Sequence, residues 1–195
     1  MRLKGLALLA LAMLGACQTL PPPAAAPTPG AQAALATLDT WRARGRVAVR
    51  STAEGFSASF DWREAAGRGE IDVRGPLGAG AARITRSADS IRIETASGPP
   101  LEIAAPFAAL ESELTARLGF PLPIGPLRYW LLGVPDPALA SEASAGGFAQ
   151  AGWTVALQQF APVAGAPAPL PSRLVLKREA TEIRVLVSTW TVSSP

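Results

Sequence analysis

Between residues 46 and 104 the chain alternates apolar and polar positions. Val47 and Val49 stand among Arg46, Ala48 and Arg50. Phe56, Ala58, Phe60 and Trp62 interleave with Ser57, Ser59, Asp61 and Arg63, and Ile71 and Val73 with Glu70, Asp72 and Arg74. Ala82 and Ile84 flank Arg83, Ile91 and Ile93 flank Arg92, and Leu101 and Ile103 flank Glu102. A period of two sends successive side chains to opposite faces, so these six runs, broken by Gly, Ser and Pro, predict antiparallel strands with one wet face and one apolar face.

The period then changes. Phe107, Leu110, Leu114 and Leu118 fall at i, i+3, i+7 and i+11, one face of a helix that Gly119 can end. Pro121 and Pro123 interrupt the chain. Leu127, Trp130 and Leu131 predict a second short helix, stopped at Gly133 and Pro135. Strands resume over 147–151, 153–160, 173–177 and 182–191, with a proline-rich loop over 161–171. A further short helix is expected over 31–43, ending before Gly45. The sum is about ten antiparallel strands with helices inserted in the middle. Sheets of that size curl. If the apolar face turns inward, helices can cover the opening and enclose a cavity. Alternation alone does not separate cavity lining from packed core, and packed core is the default.

The N-terminus carries a different pattern. Arg2 and Lys4 precede an apolar run from Leu6 to Leu14, too short to span a bilayer, which takes roughly 20 residues. The run ends in Leu14-Gly15-Ala16-Cys17, which resembles a lipobox. Residues 1–16 therefore read as an export signal and Cys17 as the site of cleavage and lipid attachment. The competing reading is an ordinary secreted protein cleaved near Ala16, with Cys17 a spare thiol. Cys17 is the only cysteine, so no intramolecular disulfide can form, and a lone thiol is a liability in an oxidising compartment. Residues 17–30 hold five prolines and no charge, the composition of an extended tether. Residues 31–195 form a single domain. Gln18, where Asp would mark inner-membrane retention, points by resemblance to the outer membrane.

Charge and chemistry narrow the function classes. The chain has 18 Lys and Arg against 15 Asp and Glu. Arg2 and Lys4 leave with the signal, so the mature chain is close to neutral and gives no case for nucleic-acid binding. The sequence has no His, which removes His-dependent nucleophile systems and the usual zinc sites. It has no phosphate-cradling G-x-x-x-x-G-K-[ST]. Gly55-Phe56-Ser57-Ala58-Ser59 lacks the final Gly of a nucleophile elbow. Glu111 and Glu113 point different ways on a helix, and Asp61 and Glu64, flanking a strand end, read as solvated. No catalytic residue, metal or cofactor is expected. The protein reads as a binder, not an enzyme.

One turn stands out. Arg74-Gly75-Pro76-Leu77-Gly78-Ala79-Gly80 joins two strands, and Leu77 is its only large apolar residue. Either Leu77 is an ordinary exposed leucine or it folds back onto the sheet.

In order along the chain come Arg44-Gly45-Arg46-Val47-Ala48-Val49, Phe60-Asp61-Trp62 and Pro76-Leu77-Gly78. Gly119-Phe120-Pro121-Leu122-Pro123-Ile124 and Leu127-Arg128-Tyr129-Trp130-Leu131-Leu132-Gly133-Val134-Pro135 follow, then Gly152-Trp153-Thr154-Val155, Leu170-Pro171 and Trp190. This series, after a lipobox, resembles the LolB family of outer-membrane lipoproteins. The resemblance implies a curved antiparallel sheet, an incomplete barrel, with helices covering an apolar cavity. It implies a lipid-anchored protein facing the periplasm. Such a protein takes lipoprotein cargo from a LolA-type periplasmic carrier by binding the acyl chains, and inserts the cargo into the outer membrane without ATP. It also implies an apolar residue on a protruding loop that serves insertion, matched here by Leu77. The expected partners are thus the carrier, the cargo and outer-membrane lipids, with no nucleic acid, and the protein is expected to be a monomer.

On this basis the cavity is expected to be lined by Phe56, Phe60, Trp62, Ile71, Val73, Ile91, Ile93, Val155, Leu157, Leu174, Leu176, Ile183 and Val185, with Phe107, Leu110, Trp130 and Leu131 from the covering helices. Arg128 is expected to tie a helix to the sheet. The alternative from a different class is an outer-membrane lipoprotein with a packed core that acts as an envelope-assembly scaffold.

Overall fold

The structure is a computed structural model that describes residues 27–52, 55–76, 80–96, 98–104, 110–118 and 120–193. Cys17, Leu77 and Phe107 lie outside the described residues, as does the proline-rich segment up to residue 26. Helix α1 (Pro29–Ala36) leads into strands β1 (Trp41–Arg50), β2 (Gly55–Ala65), β3 (Arg68–Arg74), β4 (Ala82–Arg86), β5 (Ser90–Thr95) and β6 (Leu101–Ala104). Helices α2 (Leu110–Leu118) and α3 (Ile124–Leu131) follow. The chain closes with β7 (Ser141–Ser144), β8 (Gly147–Gln150), β9 (Trp153–Ala161), β10 (Leu170–Arg178) and β11 (Thr181–Val192).

The strands form one antiparallel sheet in the order β6-β5-β4-β3-β2-β1-β11-β10-β9-β8-β7. Two meanders thus meet where the first strand pairs with the last. The sheet is open, because among the described residues the edge strands β6 and β7 have no second partner, and the helical insert lies between them in sequence. Both edges are only four residues long, which limits the unpaired backbone offered to other chains.

The alternation seen in the sequence is the alternation in space. Along β2, Ala58, Phe60, Trp62 and Glu64 are buried while Ser57 and Ser59 are exposed. Register repeats this on the neighbours: Phe60 stands opposite Gly45 on β1 and Val73 on β3. Gly45 is required where it sits. β11 carries one extra residue there, since Arg44 pairs with Thr189 and Gly45 with Val187. The resulting bulge brings the backbone so close that a Cβ on Gly45 would lie 1.9 Å from the Leu186 carbonyl oxygen.

Three sequence expectations are corrected. The N-terminal helix ends at Ala36, and residues 41–43 begin β1. Thr37, Asp39 and Thr40 are weak helix formers, and Trp41 gains pairing on both sides, with Glu64 and Val192. Strand β7, Ser-Glu-Ala-Ser and wholly exposed, has no apolar alternation to reveal it. Glu64 is not solvated: its side chain is 0% exposed. The helix stop at Gly133 stands as expected. Gly133 has φ +82° and donates to the Trp130 carbonyl at 2.9 Å, a left-handed cap that favours glycine.

Candidate functional site

A cavity of about 260 Å³ lies between the concave face of β1–β5 and the covering segment of 114–131. The sheet contributes Val47, Val49, Phe56, Phe60, Trp62, Ile71, Val73, Ala82, Ile84, Ile93 and Val185. Leu114 of α2, Phe120 and Leu122 of the connection, and Ile124, Leu127 and Leu131 of α3 form the roof. Among the described lining residues Thr95 is the one polar side chain, and Gly80 completes the set. An apolar cavity of about 150 Å³ already stays dry and binds benzene. This one is larger and, Thr95 apart, is lined by apolar residues.

The lining becomes more exposed towards one end. Trp62 is 3% exposed, Phe60 8% and Phe56, at the start of β2, 39%. Thr95 and Gly80 at the same end are exposed. The mouth is therefore at the end of the sheet from which the connection after Arg74 leaves. The other end is plugged by indole rings. Trp41 lies 5.6 Å from Trp62 and 5.6 Å from Trp190, centroid to centroid.

Beneath that plug is a buried charged cluster. Trp62 Nε1 donates to Glu64 Oε1 at 2.9 Å, and Arg86 Nη2 donates to Glu64 Oε2 at 2.7 Å. Arg128 of α3 brings its Nε to 3.4 Å from Glu64 Oε2 and donates through Nη2 to the Leu38 carbonyl at 3.2 Å. Arg128 thus ties α3 both to β2 and to the segment after α1. Gly69 leaves room for the carboxylate: a Cβ there would lie 2.5 Å from Glu64 Oε1.

The far end of α3 is fixed by Gln150 of β8, a buried amide with every polar atom engaged. Its Oε1 accepts from Trp130 Nε1 and from the Asp136 amide, both at 2.8 Å. Its Nε2 donates to the carbonyls of Asp136 and Leu139, both at 3.0 Å. Helix α2 is held by the ion pair of Glu111 with Arg178 of β10. The roof is therefore anchored at both ends, over a sheet that it does not fill.

The residues expected in the cavity separate into two sets. Phe56, Phe60, Trp62, Ile71, Val73, Ile93, Leu131 and Val185 line it. Ile91, Leu110, Trp130, Val155, Leu174, Leu176 and Ile183 are buried in packed core away from it, and Leu157 packs against that core. The division has a physical cause. For the residues of β9–β11 it is the end of α3, where Trp130 packs on Phe148 and bonds Gln150 of β8, whereas the roof stands off from β1–β5. Ile91 of β5 and Leu110 of α2 are buried without reaching the cavity. Roof residues Leu114, Phe120, Leu122, Ile124 and Leu127 were not anticipated. Leu114 and Leu127 lie in the two predicted helices, and Phe120, Leu122 and Ile124 are the apolar residues set around Pro121 and Pro123.

The convex face of β1–β6 is charged and paired. Asp61 accepts from Arg42 Nε at 2.7 Å and lies 3.3 Å from Arg44 and 3.5 Å from Arg63. The Arg42 hydrogen bond, aided by these charges, holds the Asp61 carboxyl below its ordinary range. Arg83 bridges Asp72 and Glu70, and Arg92 bridges Glu94 and Glu102. Among the described residues no three His, Cys, Asp or Glu side chains group as a metal site. No described helix is long and apolar enough to cross a membrane.

Similarity to known proteins agrees with this architecture. The family profile described as outer membrane lipoprotein LolB matches residues 39–190. The outer-membrane lipoprotein LolB of Alkalilimnicola ehrlichii is 33% identical over 199 aligned positions, covering 95% of this chain and 94% of that protein. The LolB of Thiobacillus denitrificans is 34% identical, covering 91% of each chain. Among solved structures, a LolA superfamily protein from Nitrosomonas europaea matches with a TM-score of 0.52, covering 85% of this chain and 93% of its own. At 6% identity that match speaks for the fold alone. With the profile spanning most of the chain and relatives matching nearly end to end, the protein belongs to the LolB family of outer membrane lipoproteins.

Proposed function

We propose that this protein receives lipoproteins from a LolA-type periplasmic carrier, holds their acyl chains in the cavity beneath α2 and α3, and inserts them into the outer membrane. The observation that carries this reading is the apolar cavity of about 260 Å³, with a single polar side chain among its described lining residues and a mouth at one rim of the sheet. The lining residues expected from sequence that face it, Phe56, Phe60, Trp62, Ile71, Val73, Ile93, Leu131 and Val185, are the proposed acyl contacts.

The energetics need no nucleotide. Each methylene kept from water is worth about 0.8 kcal/mol, so an acyl chain leaves an apolar pocket only for another apolar site. A difference of roughly 1.4 kcal/mol between carrier and receptor already gives a tenfold bias. Release must then go straight to the bilayer. Lipid on Cys17 and the extended segment that follows would keep the domain, as a monomer, within reach of the membrane. Leu77, on the connection that leaves the rim after Arg74, is the proposed insertion residue.

Uptake of a hydrophobic fluorophore by the lipid-free protein, and its displacement by a triacylated lipopeptide, tests the reading. Saturable uptake with displacement supports it. A folded sample that takes up nothing would favour a scaffold with a closed core.

A further inference from the structure

The convex face is not uniform. Towards the plugged end, Arg42, Arg44, Arg63, Arg83 and Arg92 each lie against a carboxylate. On β10 and β11 the pairing continues towards the mouth, where Glu182 meets Lys177 and Arg184, but on β1 and β3 it stops. Arg46 of β1 and Arg74 of β3 both stand in register with Ser59 of β2, one on each side, and both are exposed. Among the described residues neither has an acidic partner. Together with Ser57, Ser59, Gly75 and Pro76 they line a depression of about 360 Å³ on the outer wall of the rim. Ser59 spends its hydroxyl hydrogen on the Arg74 carbonyl at 3.2 Å, which fixes the end of β3. Directly behind this wall, on its inner side, Phe56 and Val73 line the mouth. The rim is apolar inside and cationic outside.

We propose that Arg46 and Arg74 hold phosphate groups of a phospholipid surface, so that the mouth of the cavity docks against the bilayer. The inference rests on the insertion reading given above. Charge complementarity selects the occupant. Two neighbouring guanidinium groups without acidic partners suit phosphate oxygens, which arginine binds in a bidentate manner. Depth agrees. Leu77 follows Arg74 by three residues, a reach of at most about 10 Å. The headgroup zone is roughly 5–7 Å deep on each side of the hydrocarbon. With Leu77 among acyl chains, Arg74 stands at the phosphates, and the lining behind it faces the hydrocarbon into which cargo must pass.

The test uses the mature chain with Cys17→Ala, which lacks the lipid and keeps every described residue. Its partition onto phosphatidylcholine vesicles, with and without phosphatidylglycerol, is measured by co-sedimentation. Near an anionic surface each arginine contributes about 1 kcal/mol, so Arg46→Gln with Arg74→Gln should weaken partition onto the phosphatidylglycerol vesicles roughly 30-fold. Removing the same formal charge from the paired set, by Arg83→Gln with Arg92→Gln, should weaken it by less than about threefold, because separated surface charges are screened beyond about 10 Å. Equal losses in the two double variants, or no loss in the first, would overturn the proposal. Unchanged vesicle binding with lost acceptance from the carrier would also overturn it, and assign the arginines to an acidic protein partner. Fluorophore uptake in solution should be the same in all variants. Its failure in the unmutated chain sinks the acyl-binding reading, whatever the vesicles show.

Discussion

Nε of Arg128, on the helix that roofs the cavity, lies 3.4 Å from Oε2 of Glu64, on the strand that forms its wall. Glu64 also receives Arg86 and the Trp62 indole. A carboxylate with no exposed side-chain surface thus compensates two guanidinium groups at the plugged end of the cavity. Removing one member of such a buried set leaves charges without partners, which costs about 3 kcal/mol or more. Glu64→Gln should therefore lower the thermal midpoint by roughly 6–12 °C. Calorimetry checks this, and a change of less than about 2 °C would show that the cluster does not stabilise the fold.

The surface counterpart is weaker and titrates. Arg42 and its neighbours hold Asp61 below the ordinary carboxylate range. A depressed folded value means that the pair contributes stability above the unfolded value of about 3.9, and that the contribution is lost as pH falls through the folded value. Asp61→Asn should cost no more than about 1 kcal/mol at neutral pH, and its deficit should shrink on acidification below pH about 4. Denaturant midpoints over an acid series measure this. A deficit that stays constant, or grows, as pH falls would contradict the pairing.

Much of this was legible in sequence, and the failures have definite causes. Period-two runs located β2 to β5 because each has one face against apolar atoms and one against water. The same signal could not tell Ile71, which faces the cavity, from Ile183, which faces packed side chains, since both are buried and apolar. What separates them is where α3 rests, a tertiary property. Glu64 misled for a related reason. Its position on the inward face of β2 was readable from Phe60 and Trp62, but its partners Arg86 and Arg128 come from distant segments. β7 is Ser-Glu-Ala-Ser, held at an edge by pairing with β8 alone, so no pattern marks it.

Filling the cavity separates binding from folding. Ala82 of β4 points into it. Ala82→Phe places a ring in empty apolar space and should leave the thermal midpoint unchanged or raise it. Fluorophore and lipopeptide affinity should fall at least about tenfold, the equivalent of losing two methylene contacts. Unaltered affinity in a stable variant would show that acyl chains bind elsewhere.

Leu77 tests delivery alone. Leu77→Glu should leave acceptance of cargo from the carrier near normal, since the proposed acyl contacts lie elsewhere. Transfer to liposomes should fall by at least about tenfold, because a carboxylate does not enter hydrocarbon. Loss of acceptance together with thermal stability would make Leu77 part of the core.

On the proposed mechanism, cargo moves down a gradient of apolar binding into this cavity. The most direct measurement mixes a LolA-type carrier, loaded with a triacylated lipoprotein, with the lipid-free form of this protein, without nucleotide and without membrane. The carrier and the receptor are then separated and the cargo is assayed on each. Most cargo should be found on the receptor, and Ala82→Phe should leave it on the carrier. Cargo that stays on the carrier in the presence of well-folded, unmutated receptor would contradict the mechanism.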